Sequence, residues 1–306
     1  MSLAARRCRG FVAGLIVATF SMASSPALPA AVARSASADP IVLHERLVDR
    51  SRGTAARGSA AATPNRVLPT TVFVPAHARN APLIVFAIGF NSSAAMYANF
   101  LAAFVRFGYV VAAPEFPLAT KTLPGRPSQS DVVNEPGDVS FVISALVAAN
   151  AQEGALHGTI DSRRIAVIGQ SDGAIVASSL TLNRCCIDRR VAAVVAISGD
   201  KAFMPATWTN KGTRPWLGIH GTADRVAPAA GSQGVYRTAG MPRYLILVDG
   251  AGHLDPTNDP TLQPKVVAVI REFLRRYLFA NPRALPRMAS LASHAPFHLT
   301  ADPTIT

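Results

Sequence analysis

Lysine is nearly missing from this chain: four of its 30 basic residues are lysine and the rest are arginine. The arginines are scattered, forming neither a block nor a stripe. A formal charge of +12 therefore does not describe a nucleic-acid surface, which needs basic residues gathered on one face. It suits a basic, soluble surface that adsorbs to anionic material. Cysteine is scarce as well, with three in 306 residues. Cys8 stands ahead of the first apolar run, which excludes a lipoprotein cysteine. Cys185 and Cys186 are adjacent, and no C-x-x-C pair or histidine cluster accompanies them, so neither a metal site nor a cofactor is expected. Neighbouring Cα atoms lie about 3.8 Å apart, below the usual disulfide range. The pair reads as two half-buried thiols near a helix end, with a strained vicinal disulfide as the alternative.

Long apolar runs are also lacking. The most continuous one, residues 11–22, is too short to span a bilayer comfortably, so stable membrane insertion is not expected. It follows Arg6, Arg7 and Arg9 and precedes small-residue sites at 31–33 and 36–38. That order describes a secretion signal, residues 1–38, with a mature chain starting near Asp39. Removing it leaves 26 basic residues against 18 acidic.

What remains is globular in composition: 49% apolar, 16% charged and 7% aromatic, long enough for one large domain. Residues 41–48 suggest a leading strand, and 67–75 a strand of alternating character. Short continuous apolar runs follow at 82–89, 109–114, 164–169, 191–198, 216–221 and 244–250, most ending in Gly, Pro or Ser. Such runs suit strands covered on both faces, as in a parallel sheet. Helical periods fall at 94–107, 138–149, 174–182 and 264–278. Strands alternating with helices give an α/β fold, a three-layer α/β/α sandwich with a mostly parallel sheet. The catalytic domain is expected over 39–283, with 284–306 as a loosely packed C-terminal extension. The Pro-rich segment 116–136 follows a strand's C-terminal end, where long loops wall active sites.

Residues 169–173 read G-Q-S-D-G. Alone, G-x-S-x-G arises by chance in roughly one 300-residue protein in ten, so its surroundings decide. A β-branched strand precedes it and a good helix former follows. That is the setting in which a tight strand-to-helix turn exposes a serine hydroxyl above a helix N-terminus. Ser171 is thus the candidate nucleophile, and it needs a base. His253, in the Gly-rich turn after the last predicted strand, faces the same sheet edge. His44, His77 and His157 precede Ser171 in polar or loop contexts, and His294 and His298 lie in the tail. Asp224, just after the preceding strand, is the candidate acid, with Asp200 as its competitor; His220 reads as a residue shaping that turn. The order Ser171, Asp224, His253 is that of an α/β-hydrolase. Backbone N–H groups of Phe90 and Asp172 are candidates for the oxyanion hole, with Asn91 second to Phe90. Asn91 and Trp208, and with them Phe90 and Met204, are candidate pocket walls that could equally be core.

These stretches resemble the α/β-hydrolase superfamily. The likeness is closest to secreted bacterial serine esterases and lipases related to dienelactone hydrolase, platelet-activating-factor acetylhydrolase and polyester-degrading cutinases. It covers residues 47–278 and rests on RVLPTTVFVP, LIVFAIGFNSS, GQSDGA, GIHGTADRVAP and GAGH. The resemblance implies Ser171, Asp224 and His253 as a triad, with Phe90 and Asp172 around the oxyanion. Two departures stand out. Ile88 replaces the family's usual oxyanion-loop histidine, and Ser171 excludes the cysteine-dependent dienelactone hydrolases proper. The expectation is a secreted, monomeric hydrolase of small or polymeric esters and lipids. A peptidase or acyltransferase on the same fold, or a non-catalytic surface protein, are the alternatives.

Overall fold

The computed structural model describes residues 39–203 and 214–305. The expected signal peptide, Trp208 and Met204 lie outside them. Six apolar runs become the centre of a nine-stranded sheet. Its strands are β1 (Ile41–Asp49), β2 (Arg66–Val74), β3 (Ala81–Ala87), β4 (Val110–Pro114), β5 (Ile160–Gln170), β6 (Val191–Ile197), β7 (Trp216–Gly221), β8 (Arg243–Val248) and β9 (Phe297–Asp302). They lie in the order β1-β2-β4-β3-β5-β6-β7-β8-β9. From β4 to β8 neighbours run parallel; β1, β2 and β9 are antiparallel additions at the two edges.

Burial follows position in the sheet. Every residue of β3, β4 and β7 is buried, which is why these strands read as unbroken apolar runs. In β2, buried and half-buried residues alternate, and the edge strand β1 is mostly exposed or half-buried. The helices are α1 (Ala98–Arg106), α2 (Glu135–Asn150), α3 (Asp172–Leu182), α4 (Ala230–Thr238), α5 (Asp255–Asn258), α6 (Gln263–Phe279) and α7 (Ala284–Leu291). α1 packs with α6, and α2 with α3, both pairs against the sheet. This is the expected three-layer α/β sandwich. All eleven residues of α3 are buried, and its small residues (Gly173, Ala174, Ala177, Ser178) let it lie close beneath the strands.

Three expectations change. The segment after Arg283 is not loose: β9 pairs along all of β8, and Met288, Ala292 and Phe297 enter the core. Without β9, the apolar strand β8 would be left as a bare sheet edge. Cys185 and Cys186, at the end of α3, are disulfide-bonded with Cα atoms 3.8 Å apart, so the two-thiol reading is replaced by the vicinal alternative. The helix expected at 94–107 is divided into a 3₁₀ turn, Ala94–Tyr97, and α1.

Candidate active site

Where β5 ends, the chain turns into α3 through Ser171, at φ 58° and ψ −125°. A side-chain-bearing residue held there stores roughly 1–3 kcal/mol of strain. The flanking glycines make the turn possible. A Cβ on Gly169 would lie 1.9 Å from the Gly173 carbonyl oxygen, and one on Gly173 would lie 2.0 Å from that of Ala87. The Ser171 N–H donates to Ile197 O at 2.9 Å, and the Ala174 N–H donates back to Ser171 O. The serine is therefore fixed at the C-terminal edge of the sheet, over the N-terminus of α3, where negative charge is favoured.

Three strand ends converge on it. His253 Nε2 is 2.9 Å from Ser171 Oγ, and its Nδ1 is 2.7 Å from Asp224 Oδ2. Asp224 is anchored on its other side: Oδ1 accepts the N–H groups of Val226 and Ala227, both at 2.9 Å. Burial alone would raise the Asp224 pKa. The bond from His253 and the two backbone donors outweigh that and hold it below the usual carboxylate range. Asp200, the alternative acid, reaches the cleft but accepts the Ala202 N–H at 2.8 Å and makes no bond to His253.

His220 is fully buried beneath this group. Its Nε2 faces two acceptors, Ala227 O at 2.7 Å and Asp224 Oδ2 at 3.1 Å. A nitrogen so placed must carry the proton, so His220 is a second donor to Asp224 as well as a residue of the turn. Its Nδ1 pairs with Ser232 Oγ at 2.7 Å. Burial lowers the His220 pKa.

The candidate backbone donors, Phe90 and Asp172, line the same cleft as Ser171. Among the described residues nothing accepts the Phe90 or Asp172 N–H, whereas the Asn91 N–H is already given to Ala119 O at 2.8 Å. That separates Phe90 from its competitor Asn91, which also lines the cleft. The loop does not depend on a histidine at position 88, since Ile88 is fully buried in the core. Ser92 Oγ donates to Gly89 O, Lys121 N–H to Ser92 O and Ala94 N–H to Glu115 Oε1, which together hold its shape.

Gln170 escaped sequence reasoning. Its Oε1 accepts the Tyr97 hydroxyl at 2.7 Å, and its Nε2 donates to His253 O at 3.2 Å. One buried amide thus ties the 3₁₀ turn, the serine turn and the histidine loop together. Its only sequence signal is its place inside the motif. A second overlooked group is Arg66, which binds Asp131 and Asp138 in a buried cluster. Asp131 lies in the short helix Gln129–Val133, so the cluster also positions Gln129, which donates to Asp172 Oδ1 at 3.0 Å.

Around these residues opens a cleft of about 660 Å³, walled by Phe90, Asn91, Met96, Gln129, Phe203 and Leu254 among others. The long segment 116–136 supplies Gln129 to that wall. Phe203 and Val226 stand at its rim, 59% and 74% exposed. None of His44, His77, His157, His294 and His298 lines it. Among the described residues, no three or more His, Cys, Asp or Glu side chains are grouped to hold a metal ion. No described helix is long and apolar enough to cross a membrane.

The sheet topology and the family evidence define the class: a carboxylic ester hydrolase of the α/β-hydrolase type. The family model for Chlorophyllase matches residues 48–204, and the chain belongs to that family. Among solved structures, it is similar to a ferulic acid esterase from Streptomyces cinnamoneus, with a TM-score of 0.66 and 20% identity. The match covers 86% of this chain and 96% of that one, and at this identity it speaks for the fold. No curated protein matches the chain.

Proposed function

We propose that the protein hydrolyses carboxylic esters through an acyl-enzyme on Ser171. One observation carries the reading: the unbroken chain Ser171 Oγ, His253, Asp224, at 2.9 and 2.7 Å, with the serine in its strained turn. Asp224 accepts the His253 Nδ1–H, which leaves the Nε2 lone pair pointed at the hydroxyl. As the hydroxyl attacks the ester carbonyl, His253 takes its proton. The oxyanion forms against the N–H groups of Phe90 and Asp172, both free to donate. Collapse releases the alcohol with the proton returned by His253, and water then attacks the acyl-enzyme by the same route.

The reading extends to location and substrate size. Export is supported by the N-terminal signal pattern and by the Cys185–Cys186 disulfide, since such bonds persist in oxidising compartments. The open cleft with Phe203 and Val226 at its rim supports substrates presented at a surface, polyesters included. A p-nitrophenyl butyrate assay tests the chemistry. Ser171→Ala should lower kcat by about 10⁴, or about 5 kcal/mol of transition-state stabilisation; equal rates for the two proteins refute it. The intact mass of the exported protein tests location, with a chain beginning near Asp39 expected and retention of Met1 contradicting it.

A further inference from the structure

The wall of the cleft next to Ser171 carries polar atoms that the fold leaves unpartnered. Asp172 is 6% exposed; Gln129 occupies its Oδ1, while its Oδ2 is buried without a hydrogen bond. Ser198, fully buried at the end of β6, has an unpartnered hydroxyl. Its backbone is held at φ 53° with its N–H on Ile219 O at 2.9 Å, which fixes the main chain that carries this hydroxyl. Both residues line the cleft, and Asp200 follows Ser198 along the same wall. No lysine or arginine is among the lining residues described.

Native folds leave few buried polar atoms unpaired, and here two lie just beneath one wall beside a nucleophile, where a small donor reaches them after a side-chain rotation. A methyl group entering there would leave Asp172 and Ser198 unpaired. A carboxylate would meet the Asp200 carboxylate and find no lysine or arginine among the described lining residues. A hydroxyl or ammonium would supply the missing donors. Asp172 can serve either: burial and the nearby Asp200 push its pKa up, so it can stay protonated beside a hydroxyl or ionise beside an ammonium.

We propose that Asp172, Ser198 and Asp200 form a subsite for a compact hydrogen-bond-donating group on the ester, ammonium above hydroxyl, and that the cleft rejects esters carrying a carboxylate there. This rests on Ser171 as the nucleophile, and the test separates the two ideas. Four p-nitrophenyl esters X–CH₂–CH₂–CO– are compared, with X as methyl, hydroxyl, ammonium or carboxylate. A parallel series places X on the alcohol of a butyrate ester. In one of the series kcat/KM should fall in the order ammonium, hydroxyl, methyl, carboxylate, with about tenfold between ammonium and methyl and again between methyl and carboxylate. Ser198→Ala and Asp200→Asn should each narrow the ammonium-to-carboxylate ratio by about tenfold or more. Rates equal within about twofold across both series, or a ratio indifferent to both substitutions, overturn the subsite. The corresponding amides of both series, X–CH₂–CH₂–CO–NH₂ and the butyramides N-substituted with CH₂–CH₂–X, titrated calorimetrically into Ser171→Ala, should show the same ranking as Kd in the series that ranks the esters, and two flat amide series again overturn it. Turnover unchanged by Ser171→Ala overturns the nucleophile reading alone, because the amide affinities judge the subsite independently.

Discussion

Asp224→Asn is an informative single-atom change, because the structure fixes which way the new amide must face. On the Oδ1 side stand two backbone donors, Val226 N–H and Ala227 N–H, at 2.9 Å. The amide oxygen is selected there, since an NH₂ group would meet two N–H groups. The NH₂ is then placed where Oδ2 was, 2.7 Å from His253 Nδ1 and 3.1 Å from His220 Nε2. A donor facing Nδ1 selects the other His253 tautomer, with the proton on Nε2 and directed at Ser171 Oγ. In that form the imidazole cannot accept the serine proton. The expected loss is about 10³–10⁴ in kcat, or roughly 4–5 kcal/mol, with much less change in KM. The assay is initial-rate hydrolysis of p-nitrophenyl butyrate on purified wild type and variant, with circular dichroism to establish that both are folded. A folded variant within about tenfold of wild type would refute the tautomer argument.

Arg66→Met leaves Asp131 and Asp138 buried and without their shared guanidinium. Breaking such a cluster from one side should destabilise by about 3–5 kcal/mol in chemical denaturation; a loss below about 1 kcal/mol contradicts it. Glu135 is fully buried with both oxygens unpartnered, and burial followed by the charges of Asp138, Asp131 and Asp172 raises its pKa well above the ordinary value. A raised carboxyl favours the fold at low pH and loses that contribution as pH rises through its folded pKa. Glu135→Gln should therefore raise the Tm more at pH 8 than at pH 4, and the reverse trend rules the account out. Gln170→Leu removes the amide between Tyr97 and His253. It should lower kcat by about tenfold and stability by about 1–3 kcal/mol, from the two buried hydrogen bonds lost; a variant matching wild type in both shows that the bridge is dispensable.

The parts legible in the sequence were those with a local physical cause. Runs such as residues 82–89 and 191–198 announce strands covered on both faces, because nothing polar is tolerated there. Gly169 and Gly173 are readable because no Cβ fits in the turn they flank. Ser171, Asp224 and His253 could be selected together because each closely follows a strand end. What stayed hidden depends on partners far apart in the chain. The sequence of β9 is half polar and acquires its role only by lying against β8. Arg66 looks like one scattered arginine until Asp131 and Asp138, some 65 and 72 positions away, fold around it. Gln170 sits inside the motif, yet its two partners lie 73 and 83 residues away. Neighbouring cysteines carry no local signal of whether they are bonded, and the short polar helix α4 has too weak a period to be seen.

The central claim is that Ser171 is a nucleophile activated by His253. It is tested most directly by reacting the folded protein with a fluorophosphonate and locating the adduct by peptide mass spectrometry. The account predicts one stoichiometric phosphonyl group, carried by the peptide containing Ser171 and lost in both Ser171→Ala and His253→Ala. An adduct on any other residue, or no adduct on a protein that still hydrolyses esters, would contradict it.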